Sequence, residues 1–386
     1  MTDIFFRDLE QAAKEGLLRR LKTVDSAQGR RVSIDGRDIL LFCSNNYLGL
    51  ADHPTIKKAA IDCIKKYGVG AGASRLVSGN MAPHRELEEK IARFCKKESA
   101  ITFNSGYQAN VGTLTALLGK GDVVFADRLC HASILDGVRW SGARLKRFRH
   151  NDPDSLESLL KKEDARGKKL IVTEGVFSMD GDKAPLKEVA DLAKRFQALF
   201  MLDDAHGFGL FGDKGRGTAD DAGIVDRVDI LVVTLGKALG GAGGVILGSK
   251  SLVTGLINFA RSFMFSTAIP PSLAAAGAAA IDIIEGEQGA KRRNTLFNSA
   301  TVIRKNLVDL GYDTGASTTQ IIPIFTGEED KALKMSAKLM ENGAFIPAIR
   351  YPTVPKGEAR LRLTLTADHS SKDLEHLIKI FGIIKN

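Results

Sequence analysis

Seven short apolar runs, SAITF, DVVFA, ARLKRF, KLIVTE, ALFMLD, DILVVT and GVILG, alternate with helix-like segments between about residues 98 and 248. Strands this apolar are covered on both faces, and the segments between them are long enough to cross over a sheet as helices. The pattern predicts an α/β fold, a mainly parallel seven-stranded sheet with helices on both sides. Ligands in such sheets bind beyond the carboxyl ends of the strands. The polar residues directly after each run are therefore the first candidates for function.

Lys237 follows DILVVT among glycines in LVVTLGKALGG, and Asp203, Asp204 and His206 close LFMLDDAHG. Ser178 lies in VFSMDGD after KLIVTE, His131 follows DVVFADRLC, and NSGYQAN (104–110) follows SAITF where a helix is predicted to start. A lysine after a strand is ordinarily solvated. Here small neighbours let a planar ligand approach the backbone, and Thr234 offers a hydroxyl three residues earlier. A partly desolvated lysine can be neutral, and so nucleophilic toward an aldehyde. Pyridoxal phosphate is the cofactor that uses such an amine. It also needs an acid at its ring nitrogen, a hydrogen bond to its phenolic oxygen, a flat group on its ring and donors for its phosphate. Asp203, His206, His131 and the Ser105, Gly106 and Tyr107 amides suit these four demands in turn. Each has an ordinary reading when taken alone: a turn residue, two structural histidines and a helix cap.

The flanking segments differ. The first 50 residues read as an amphipathic helix and a hairpin, RRVSIDGRDILLFCS, with Asp35-Gly36 as its two-residue turn. From about 286 onward, a charged helix and the runs IIPIFTG, AFIPAI and RLRLTLT predict a smaller α+β domain. The expected organisation is an N-terminal segment 1–50, a large domain 51–285 and a small domain 286–386. IPPSLAAAGAAAIDII (269–284) is short, alanine-rich and interrupted by Asp282, which suits a buried helix and no membrane span. The mixed-charge N-terminus carries no signal-peptide pattern, and four cysteines without a C-x-x-C pair suit a reduced, cytoplasmic protein. The 55 basic residues exceed the 46 acidic ones but are spread as short pairs such as Lys161-Lys162, which favours a role in solubility and leaves nucleic-acid binding as a weak alternative, with no nucleic-acid partner expected. Attraction to an acidic small molecule such as a coenzyme thioester stays open. GFGLFG (207–212) matches the dinucleotide fingerprint, but DKGRGTADDAG continues it as loop, and two aspartates precede it where a pyrophosphate would be repelled. Neither G-x-x-x-x-G-K-[ST] nor G-x-S-x-G occurs, and the seven histidines are too scattered for a metal site.

With these residues assembled, the chain resembles the α-oxoamine synthases, fold-type I pyridoxal-phosphate enzymes that condense an amino acid with an acyl thioester. NNYLGL, GAGASRLVSGN, NSGYQAN, DRLCHASILDG, TEGVFSMDGD, DDAHGFGLFG, VVTLGKALGG, FSTAIPP and YPTVPKGEARLRLTLTADH carry the resemblance almost end to end. It implies Lys237 as the Schiff-base lysine, Asp203 at the pyridinium, His206 at the phenolic oxygen and His131 stacked on the ring. Ser178, Thr234 and the Gly106-Tyr107 backbone become further cofactor contacts. It also implies a homodimer whose active sites receive Ser266 and Thr267 from the partner. On the substrate side it assigns Arg362 to the amino-acid carboxylate and matches Arg19, Asn45, Thr353 and His131, with Arg20 a near-equivalent of Arg19. Without the resemblance, Arg360 and Arg362 read as an exposed strand face. Ser74 stands where glycine-using members carry threonine, and the methyl-sized room this leaves suits L-alanine, although a serine in a glycine-rich loop also reads as a turn residue. The implied reaction is decarboxylative condensation of L-alanine with a pimeloyl thioester of coenzyme A or a carrier protein. Glycine- and serine-using sister activities are the alternative, and a nicotinamide oxidoreductase the remote one.

Overall fold

The computed structural model describes residues 5–15, 17–164 and 166–385. Asp35 and Gly36 both take positive φ, +51° and +71°, and close a hairpin between β1 (Arg31–Ile34) and β2 (Arg37–Leu41). Left-handed backbone at both turn positions matches the twist of the paired strands.

The chain divides into two units. The larger comprises Leu48–Ser178 and Asp182–Arg293; the smaller comprises the residues up to Tyr47, Met179–Gly181 and those from Asn294 on. The sequence-based boundaries were 50 and 285, whereas these units divide at 47/48 and 293/294, with the N-terminal hairpin grouped with the C-terminal residues.

In the larger unit the seven apolar runs are seven strands: β3 (Ser99–Phe103), β4 (Val123–Asp127), β5 (Arg144–Phe148), β6 (Lys169–Glu174), β7 (Leu199–Asp203), β8 (Ile230–Thr234) and β9 (Gly244–Gly248). They form one sheet in the order β3-β9-β8-β7-β6-β4-β5. All neighbours pair in parallel except β9, which is antiparallel to both β8 and β3. The reason is length. Against the expectation that every intervening segment crosses over as a helix, residues 235–243 are too few for one, so the chain must turn back beside β8. Lys237 sits in that tight connection. So does Gly240, at φ +70°, where a Cβ would fall 2.4 Å from the Ala51 nitrogen. Val124, Val172, Met201, Val232 and Ile246 carry the core from strand to strand, packed with Leu114, Ile134 and Phe263 of the covering helices. The helix Pro271–Glu285 buries Ala274, Gly277, Ala280 and Ile281, as its composition predicts.

In the smaller unit β10 (Ile321–Gly327) opens a second set of strands. The run AFIPAI, expected as one segment, splits at Pro347 into β11 (Ala344–Phe345) and β12 (Ala348–Ile349). The first pairs in parallel with β2, and the second pairs with β13 (Ala359–Thr364), which lies between β10 and β12. A proline has no N–H to give a ladder, which makes it a natural break between two sheets. Strand β13 is buried along its whole length, which overturns the reading of Arg360 and Arg362 as exposed: they are 2% and 7% accessible. Arg360 survives burial because its guanidinium donates to Asp180 at 2.7 Å and lies 4.3 Å from the centre of the Phe325 ring. Among the described residues no helix is long and apolar enough to cross a membrane.

Candidate active site

In the larger unit the candidates cluster at the carboxyl ends of the strands. Asp203 is the last residue of β7 and Thr234 the last of β8; His206 and Lys237 follow in the adjoining turns, His131 follows β4, and Gly106 opens the helix Gly106–Leu117 after β3. A sheet whose strands run the same way presents all these ends on one side, so residues distant in sequence meet there.

Lys237 Nζ lies 3.0 Å from His206 Nε2. Asp203 is buried, and each of its oxygens accepts a hydrogen bond: Oδ2 from the Asn110 amide at 2.8 Å and Oδ1 from the Ala205 N–H at 3.1 Å. The His131 side chain caps the helix Ala132–Ser141, its Nδ1 accepting from the Ser133 N–H at 3.3 Å. The residue is otherwise exposed. Desolvation of the packed edge lowers the imidazole below its ordinary value, Asp203 opposing and Lys237 reinforcing, so the ring is neutral at neutral pH.

At the start of helix Gly106–Leu117 the Ser105 hydroxyl accepts from the Gln108 N–H at 3.1 Å, while the other first-turn amides have no partner within the helix. Gly106 is packed closely on both sides. A Cβ there would come within 2.8 Å of Thr234 Cγ2, and one on Gly244 within 2.7 Å of Gly106 Cα. The Thr234 hydroxyl is buried and has no hydrogen-bond partner among the described residues. An orphan donor beside open helix-start amides is a place for an anion such as phosphate. Ser178 lies beyond β6 in the turn that follows it, half-buried.

Thr267, exposed, and Ser74 form an antiparallel bridge, and the Thr267 carbonyl accepts from Asn104 at 2.8 Å; Ser266 beside it is half-buried. The Ser74 carbonyl accepts from the Val77 and Gly79 amides, so the residue does stand in a tight turn, made by its backbone. In the smaller unit, Arg362 Nη2 donates to Asn45 Oδ1 at 3.2 Å and to Tyr47 Oη at 3.3 Å. Those two predicted residues thus come together. Arg19 is exposed and reaches the Tyr351 carbonyl at 3.4 Å, and Thr353 and Arg20 are exposed too.

Two residues that sequence reasoning passed over, Glu174 and Asn110, and one that it named without giving it a role, Asp204, belong to the same construction. Glu174, the last residue of β6, is paired in register with Asp203, and its Oε1 accepts from the His131 N–H at 2.6 Å. Burial, with Asp203 adding and Lys237 opposing, holds its carboxyl well above the usual range, so it keeps its proton. The rule that selected Asp203, a polar residue closing an apolar run, would have found it. Asn110 ends the quoted NSGYQAN, but nothing local says that it reaches β7. Asp204 is fully buried, accepts from the Thr218 amide at 2.7 Å and hydroxyl at 2.8 Å, and is pushed up to about 7 by burial. Gly175, Gly207 and Gly217 close around it: a Cβ on any of them would lie within 2.4 Å of its carboxylate. The glycine that opens GFGLFG is therefore small to admit Asp204.

The family model of class I and II aminotransferases matches residues 37–381. The chain is 50% identical, over 98% of its length and 97% of the relative's, to an 8-amino-7-oxononanoate synthase of Geobacter sulfurreducens. It is 46% identical to one of Thermoanaerobacter pseudethanolicus, over 98% and 96%. Among solved structures it resembles a serine palmitoyltransferase of Sphingomonas wittichii, with a TM-score of 0.94, 32% identity and coverage of 99% and 98%. It also resembles an 8-amino-7-oxononanoate synthase of Francisella tularensis, with a TM-score of 0.77, 29% identity and coverage of 90% and 98%.

Proposed function

The chain belongs to the aminotransferase class I and II family, and on that premise we propose that it joins L-alanine to a pimeloyl thioester with loss of carbon dioxide, giving 8-amino-7-oxononanoate for biotin synthesis. The observation that carries this reading is 50% identity along nearly the whole chain to such a synthase, against 32% for the serine-using relative whose backbone it matches so well. One backbone serves several amino acids, so side chains have to choose among them.

Pyridoxal phosphate, when bound, supplies the electron sink that stabilises negative charge on the amino-acid α-carbon. The residues present fit it, above all the unpartnered Thr234 hydroxyl beside the helix-start amides of Gly106 and Tyr107, which would receive its phosphate. Lys237 is the amine that would hold the cofactor's aldehyde, and as a free amine it would be the base that takes the α-proton of alanine. Asp203 would keep the ring nitrogen protonated, His206 would donate to the phenolic oxygen, and His131 would cover the ring. Ser178 adds a further contact. Arg362 holds the alanine carboxylate, while Arg19, Asn45 and Thr353 serve the substrates. A carbon–carbon bond forms between the α-carbon and the thioester carbonyl, the thiolate leaves and takes a proton from solvent, and the resulting β-keto acid loses its carboxylate as carbon dioxide, the α-carbon recovering the proton that Lys237 took.

The working form on this reading is a cytoplasmic homodimer in which Ser266 and Thr267 of one protomer complete the site of the other. Exposed Val69, Leu76, Val77 and Phe265 near the Ser74–Thr267 bridge support a second copy covering this face, and four free cysteines suit a reducing compartment. A panel of alanine, glycine, serine and threonine against pimeloyl-coenzyme A and pimeloyl carrier protein tests the reading. Alanine should give the fastest thiol release, and a preference for glycine or serine would replace it with a sister activity.

A further inference from the structure

We propose that Asn110 and Ser133 are positioning residues that hold His131 in its Nε2–H tautomer and tie its ring to the Asp203 carboxylate. The proposal rests on the reading of this site as the cofactor pocket and concerns how its two ring-facing groups are kept in register.

Asn110 is 2% accessible, and its amide nitrogen has two hydrogens to place. One goes to Asp203 Oδ2 at 2.8 Å and the other to Ser133 Oγ at 2.9 Å. Turning the amide over would set its oxygen against the Asp203 carboxylate, so the donor orientation follows from charge. Ser133 is itself fully buried, and with its oxygen accepting from Asn110, its hydrogen is free for His131 Nδ1 at 2.7 Å. The Ser133 backbone N–H aims at the same nitrogen from 3.3 Å. A backbone amide can only donate. Two donors converging on Nδ1 require a lone pair there, which leaves the ring proton on Nε2. A proton on Nδ1 would face both of those hydrogens. The charged groups around the ring are Asp203, Lys237 and Asp136, and Glu174 holds the His131 backbone N–H. The chain of bonds thus runs from the end of β7, through a helix after β3, to the cap of the helix after β4. It couples the group expected at the cofactor's ring nitrogen to the one expected on its face.

The test is nitrogen NMR of the full-length protein labelled with ¹⁵N-histidine, with and without pyridoxal phosphate, the His131 signals identified by their loss in His131→Gln. Wild type should show the Nε2–H tautomer throughout the neutral range in both forms. Ser133→Ala leaves Asn110 and its bond to Asp203 in place, and should raise the Nδ1–H population roughly 2- to 10-fold, the weight of one hydrogen bond. Asn110→Ala should do the same and also shift the pH dependence of the bound cofactor's visible band, which a merely structural role would leave unmoved. An Nδ1–H tautomer in wild type, or unchanged tautomer populations in the variants, overturns the proposal. If Asn110→Ala does not fold, Ser133→Ala decides alone. The cofactor-free spectra judge the relay, whereas borohydride labelling of Lys237 judges the site reading, so the two can fail separately.

Discussion

Glu174 and Asp203 stand opposite each other as the final residues of neighbouring parallel strands, two buried carboxyl groups in one register pair. Like charges at this spacing cannot both be tolerated away from water, and the fold resolves the conflict by keeping the proton on Glu174. Glutamine should therefore imitate it. Glu174→Gln retains an acceptor for the His131 N–H and should unfold at nearly the wild-type temperature with similar cofactor affinity. Glu174→Ala strands that N–H and should cost about 1–3 kcal/mol. Thermal unfolding and cofactor titration of both variants check this, and a Gln variant as impaired as the Ala variant would mean that Glu174 works as a charge.

Lys237 is the group on which the proposed chemistry depends most. Borohydride treatment of the cofactor-loaded protein should fix the label on Lys237, read by peptide mass mapping. Lys237→Ala should still bind the cofactor without a covalent link and lose all measurable turnover. Label on another lysine would remove the assignment.

Asp203→Asn keeps the shape of the side chain and removes its charge. The effect should fall on α-proton removal, slowing exchange of the alanine α-hydrogen in deuterium oxide by about 100-fold or more, as expected when charge stabilisation is lost at a reacting centre. Normal exchange in this variant would assign Asp203 to the fold alone.

Ser74→Thr adds one methyl group to the turn that bridges Thr267. If the side chain faces the substrate, kcat/KM for alanine should fall relative to glycine by roughly 10- to 200-fold, with cofactor binding retained. An unchanged ratio would leave Ser74 as a turn residue.

His150 lies between two acids, with Nδ1 3.0 Å from Asp127 and Nε2 2.8 Å from Asp182, and its side chain is 16% accessible. Burial works against a charged ring, but the hydrogen bonds and charges of the two carboxylates outweigh it and raise the imidazole to about 9. A raised value stabilises the fold fully below the ordinary value of 6.5 and ceases to do so as pH climbs through about 9. His150→Gln should thus lower stability by on the order of 3 kcal/mol at pH 6 and far less at pH 10. Urea unfolding across that range should show the wild-type and variant curves converging; parallel curves would contradict the charged clamp.

What the sequence determined by itself is whatever depends on neighbours along the chain. The seven apolar runs became seven strands because burial on both faces writes itself into consecutive residues, and Asp35-Gly36 became a turn because both positions need positive φ. The residues after those runs could be named as candidates for the same reason, since strand ends in a parallel sheet share one side. The tertiary structure alone decided which of them touch. Asn110 meets Asp203 across 93 positions, and Glu174 meets the His131 backbone across 43. Arg360 and Arg362 alternate with apolar residues as an exposed strand would, yet they are buried, because Asp180, Asn45 and Tyr47 supply partners that no local pattern announces. The placing of a proton follows the same rule: Glu174 and Asp203 both close apolar runs in the sequence, and only their pairing in the folded sheet obliges one of them to stay neutral.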